Sequence, residues 1–186
     1  MRHCLLRRIG VGSGSLAEKH PEPLGHPDSL HLKTAEGWIG LSDYTSATEE
    51  LERISALSRA HPDVLQLQWT IYAHANKWDA CLDIATALTA ITPERRFGWI
   101  HRAHALDRLG RTTEAKDLLI SIVNSFESNS TIPYHLAQYC ARLGETNQAK
   151  QWLGKALLAA DGIEELEKLR KRAMQDPDLG PLRLMP

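Results

Sequence analysis

The stretch Phe97–Arg108, FGWIHRAHALDR, holds the densest set of reactive side chains in the sequence. Phe97, His101, His104 and Arg108 follow i, i+4, i+7 and i+11, which puts them on one side of an α-helix. A guanidinium there suits a carboxylate, which it grips through paired hydrogen bonds. Two imidazoles at i and i+3 are also the beginning of a zinc site, with His135 as a third ligand if the fold brings it near. No Cys or carboxylate completes that set, although Asp107 is close in sequence. Nucleophilic catalysis has less to draw on. Cys81 and Cys140 fall on apolar helix positions, where a buried thiol is inert. Gly12 and Gly14 lack the following Lys-Ser/Thr and the strand of a phosphate loop. The expectation is a protein that is not an enzyme and uses no cofactor or resident metal.

Those side chains need a scaffold, and an internal repeat supplies one. Ala47, Cys81, Ala115 and Ala149 recur every 34 residues. So do Leu51, Ala85, Leu119 and Leu153, and so do Ile54, Leu88, Ile122 and Ala156. Upstream in each unit the same interval joins Trp38, Tyr72, Leu106 and Cys140; Leu41, Ala75, Leu109 and Leu143; and Ala35, Trp69, Ala103 and Ala137. Ser42, Asn76, Gly110 and Gly144 share one further register, where Gly, and next Asn, closes a helix in the left-handed conformation. Pro62, Pro93 and Pro133 lie near helix starts, and Thr92 offers a cap before Pro93. Each unit therefore reads as a hairpin of two helices. Ala103 and Ala115 allow close approach within the third hairpin, with Trp99, Leu106, Leu119 and Ile122 around them. One hairpin cannot cover its own apolar face, so neighbours must stack.

The spacing divides the chain into a flexible leader over 1–27 and four units over 28–61, 62–95, 96–129 and 130–161. A capping helix over 162–175 and a tail over 176–186 follow. The leader carries Gly10, Gly12, Gly14, Pro21, Pro23, Gly25 and Pro27 without periodicity. Asp28 or Ser29 offers the first N-cap, and the second helix of the first unit is expected to run to His61. Asp161 and Glu164 match a capping box for the last helix, and Pro177 ends it. Composition is ordinary for a globular chain, with 42% hydrophobic and 24% charged residues, which argues against global disorder. A formal net charge of −1 gives no field to gather nucleic acid or anionic membrane. Three cysteines, an odd and sparse set, are no disulfide framework. No apolar run reaches the length of a membrane span, and MRHCLLRRIG lacks a secretory core. The expected setting is cytoplasmic.

Leu109-Gly110 followed by Ala115, with Trp99 upstream, resembles the tetratricopeptide repeat. Tyr44 and Trp78 before the second-helix Ala, and Pro93 closing the second unit, are similar to that family's other marks. The resemblance covers about residues 28–161. Departures are Ser42 in place of Gly, Trp69 where a small residue is usual, and Thr34, Gln68 and Arg102 in place of a Leu that only Leu136 keeps. It implies an all-α, right-handed superhelical array of about four hairpins with a C-terminal capping helix. The implied role is protein or peptide binding in a concave groove lined by the first helices.

On that array the stripe of Phe97, His101, His104 and Arg108 faces the groove. Thr131, His135, Gln138 and Arg142 are its equivalents one unit later, and Asp63, Leu67, Thr70 and His74 one unit earlier. Three lateral rows follow: Leu67, His101 and His135; Thr70, His104 and Gln138; His74, Arg108 and Arg142. The third row is basic. The sequence thus predicts a groove for an acidic or carboxylate-terminated protein segment, without nucleic acid or membrane, and with self-association open. The Lys and Asn of the family's carboxylate-gripping grooves are missing from these stripes, so that particular activity is not implied. Two other readings stand beside it: a secretion or assembly chaperone of the same build, and a metal-binding protein using His101, His104 and His135.

Overall fold

Residues 22–126 and 129–182 are described by a computed structural model of the chain. Nine α-helices follow one another there: α1 (Asp28–Gly40), α2 (Tyr44–Glu52), α3 (Pro62–His74), α4 (Trp78–Ile91), α5 (Arg96–Arg108), α6 (Thr112–Ile122), α7 (Thr131–Arg142), α8 (Thr146–Leu158) and α9 (Gly162–Gln175). Short 3₁₀ turns at Val123–Ser125 and Gly180–Leu182 complete the set, and no strand occurs among the described residues. The first eight helices pair in order as hairpins, and α9 packs against the last of them.

The turns inside the hairpins are one motif used four times. Ser42, Asn76, Gly110 and Gly144 have φ of 61°, 56°, 78° and 76°. The next amide in each case reaches five residues back: Asp43 to Trp38, Lys77 to Tyr72, Arg111 to Leu106 and Glu145 to Cys140, at 2.8–2.9 Å. Such a bond satisfies a carbonyl that the helix end leaves open. The hairpin geometry is therefore set by backbone chemistry, and the apolar registers then decide what it buries. Ala47, Cys81, Ala115 and Ala149 are wholly buried, as are Ala35, Ala103 and Ala137. Four clusters of buried residues share the half-buried Tyr72, Leu82 and Trp152, so the core runs on from hairpin to hairpin.

Five local expectations give way. Helix α2 stops at Glu52 and does not reach His61. Asp28 explains it: its carboxylate accepts from the Ser55 amide at 2.9 Å and the Ser55 hydroxyl at 2.6 Å, drawing the chain off the helical path. Arg59 then donates to the carbonyls of Glu52 and Ile54. Asp28 is thus spent on Ser55, and Pro27 takes the N-cap position of α1. Thr92 closes α4 by donating to the Leu88 carbonyl, and α5 begins only at Arg96. The capping box expected at Asp161 does not form: its side chain makes no cap bond, and its backbone N–H donates to Glu165, not Glu164, with Gly162 entering α9 at a φ of 85°. Of the flexible leader expected over 1–27, residues 22–27 belong to the described fold. Leu24 packs on the first core cluster, and His61 bonds the Glu22 carbonyl. Cys4, Gly10, Gly12, Gly14 and Pro21 lie outside the described residues.

Candidate functional site: the first-helix face

Helices α3, α5 and α7 carry the predicted stripes, and the fold treats the three rows differently. In the first row His101 lies flat on Trp69, ring centroids 3.9 Å apart, with Phe97 edge-on at 3.7 Å. Leu67 is buried in the first core cluster, and His135 turns to Gln138, its Nδ1 2.8 Å from the amide oxygen. In the second row Thr70 spends its hydroxyl on the Gln66 carbonyl of its own helix. His104 is edge-on to Trp69 at 5.8 Å and stacks over Trp78 at 5.6 Å. In the third row His74 stacks on Tyr44 at 3.7 Å, and exposed Arg108 lies over the Trp78 ring at 4.9 Å. Arg142 donates to Asp107 of α5 and, through Nε at 2.7 Å, to Asp178.

The chain's similarity to known proteins lies in this arrangement of helices. No protein-family model and no curated protein matches the sequence. Among solved structures, a thermophilic TPR protein of Thermus thermophilus aligns over 84% of this chain and 95% of its own, with a TM-score of 0.65 at 19% identity. The chain has the fold of the tetratricopeptide-repeat proteins. MamA of Desulfovibrio magneticus RS-1 gives a TM-score of 0.63 at 12% identity, over 86% and 91% of the two chains. A further MamA structure, MSR-1, gives 0.59 at 19% identity over 78% of each. No helix among the described residues is long and apolar enough to cross a membrane.

Within the tetratricopeptide-type array the histidines are packing groups before they are ligands. Burial, helped by the charges of His104 and His135, pushes His101 down to about 3. Burial also pushes His135 down to about 4, against the opposing bond from Gln138. His104 is lowered by burial too, with Asp107 opposing. All three are therefore neutral at neutral pH. His101 Nδ1 and the Trp69 indole N–H are both buried without a partner. The imidazoles of His101 and His104 face aromatic rings, and that of His135 faces an amide. No group of three or more His, Cys, Asp or Glu among the described residues converges as a metal site.

Sequence reasoning found the stripe but missed its surroundings. Trp69 and Trp78 pack in the core of the second hairpin and are at the same time the platforms on which His101, His104 and Arg108 rest. The tail was missed altogether as part of this face. Asp176 Oδ1 accepts from the amides of Asp178 and Leu179, and its Oδ2 accepts from the Tyr134 hydroxyl at 3.2 Å and the Gln138 amide at 2.7 Å. Leu179 is 1% exposed, in a cluster with Tyr134, Leu153, Leu169 and Ala173. Residues 176–182 thus fold back onto α7. The signal was legible in principle: Asp176 stands 34 residues after Arg142, where the next first-helix stripe would end.

Proposed function

We propose that the chain is a non-enzymatic interaction module that holds an acidic segment of a protein partner along its first-helix face, with Arg108 as the anchor. The observation that carries this reading is the contrast inside the basic row. Arg142 is engaged by two carboxylates, whereas Arg108 is exposed, rests on Trp78 and has no acidic partner among the described residues. The repeat explains the difference: 34 residues before Asp107 stands Ala73. A guanidinium fixed over an indole keeps its edge free for paired bonds to a carboxylate, and the ring limits the rotamer entropy lost on binding. His74 on Tyr44 and His104 on Trp78 extend the face as flat, adaptable contacts.

The test is a peptide array of extended segments with and without Asp or Glu, probed with the chain and two variants. Arg108→Ala should lose capture of the acidic members by about tenfold or more, the scale of a charge-assisted bidentate bond. Arg142→Ala should retain most of it. Equal capture of acidic and neutral peptides, or indifference to Arg108→Ala, would sink the proposal.

A further inference from the structure

The far end of the same face is already filled, and what fills it has the chemistry of a ligand. We propose that Asp176-Pro177-Asp178-Leu179 is a built-in ligand of the fourth hairpin, and that this end of the face is a receptor for segments of the pattern Asp-x-Asp-Leu. The inference rests on the reading that the first-helix face takes acidic segments, and it names a second subsite on that face.

Three observations carry it. Asp176 leaves the helical region at φ −71° and ψ 126°, Pro177 prevents the helix from continuing, and the segment then turns, the Gly180 amide donating to the Asp176 carbonyl at 2.7 Å. Its polar contacts fall on the predicted stripe: Asp176 on Gln138, and Asp178 on Arg142. Its one apolar anchor, Leu179, is buried against Tyr134 and the ends of α8 and α9. Two carboxylates read by an amide, a phenol and a guanidinium, with a leucine in a pocket, make a recognition pattern of few, well-separated points. A helix cap needs only the first of them. Asp176 alone closes the turn after α9, by accepting from the two amides that follow it.

The docking is also suited to exchange. The Arg142 and Asp178 side chains are 38% and 22% exposed, so a competitor reaches that pair from solvent. Arg142 keeps Asp107 when Asp178 leaves, so release strands no guanidinium. A partner presenting the same pattern would replace each contact in kind, and tail docking would then set a threshold that weak acidic segments fail to cross.

The experiment uses the full chain and a fluorescent peptide of residues 175–182, Gln-Asp-Pro-Asp-Leu-Gly-Pro-Leu, followed by anisotropy. The unaltered chain should bind it weakly, because its own tail is present at high effective concentration. The double variant Asp176→Asn with Asp178→Asn should bind it about tenfold more tightly. Adding Arg142→Ala should remove that gain, and a peptide with Asn in place of its second Asp should not show it. Where the double variant loses helix content, Asp178→Asn alone keeps the Asp176 turn and should raise peptide affinity several-fold. Equal affinity for unaltered and folded variant chains overturns the inference. Arg108→Ala separates the two readings: it should leave tail-peptide binding intact while lowering capture on the array. Loss of array capture with no tail-peptide binding leaves the first-helix reading standing and this one rejected.

Discussion

The junction between the first two hairpins and the junction between the second and third are built from the same repeat, yet they pack to different standards. At the first, α2 ends after nine residues and the chain runs through irregular turns to His61. That leaves a cavity of about 160 Å³ lined by Thr48, Leu51, Arg59, Val64, Gln68 and Tyr72. At the second, α4 runs for 14 residues and α5 lies directly on it. Gly98 makes that approach possible: a Cβ there would stand 3.1 Å from the Leu88 Cβ and from the Thr89 amide nitrogen. The same register holds Val64 in α3 and Ile132 in α7, so the close approach is not a property of the period. Periodicity fixes which faces meet; one residue per junction fixes how near they come.

The largest way to break this contrast is Gly98→Val. Overpacking a tight backbone contact costs about 1–3 kcal/mol, and the urea midpoint should fall accordingly. The matched change at the looser junction, Val64→Ala, should cost about 1.5 kcal/mol for two buried carbons, with the nearby cavity sparing it a larger penalty. A Gly98→Val loss no greater than that of Val64→Ala would erase the distinction.

Acid should act on the C-terminal side of the same divide. Burial pushes His101 down to about 3 and His135 down to about 4, from an ordinary value of 6.5. The unfolded chain therefore takes up protons first as pH falls. Stability contributed by these groups is complete above 6.5 and declines through that value toward 4 and 3. Urea midpoints measured from about pH 7.5 to about pH 4.5 should fall, and His101→Gln should flatten the slope. A slope unchanged by His101→Gln would show that His101 is solvated in the folded state.

The smallest effect concerns the turns. The first two hairpins close theirs with Ser42 and Asn76 at positive φ, the last two with Gly110 and Gly144. A left-handed backbone costs a residue with a Cβ about 1–2 kcal/mol relative to its right-handed form. Ser42→Gly should therefore raise stability by about 0.5–1 kcal/mol, and Asn76→Gly by less, since Asn tolerates that region. Thermal unfolding reads both; a lower Tm for Ser42→Gly would mean that the serine hydroxyl contributes more than its backbone costs.

The array was legible because its causes are local and repeated. Six apolar registers and one left-handed register each state the same hairpin four times, and a single departure such as Ser42 does not hide it. The end of α2 was not legible, because its cause is a bond between Asp28 and Ser55, 27 residues apart. The site was legible by half. Placing Arg108 and Arg142 in one row needs only the period. Telling the free guanidinium from the engaged one needs Asp107 and Asp178, neither of which lies on a predicted stripe. Trp69 and Trp78 join the core as their registers suggest, but an indole also offers a second ring face, and what lies on it is not written in the period.

Residues 176–182 come after all eight hairpin helices in the chain, and that order gives the docked tail a meaning in time. Chains emerge from the ribosome N-terminal end first and fold as they do. The helices that build the first-helix face are thus released before Asp176, Asp178 and Leu179, and the tail is the last part of the face to reach it.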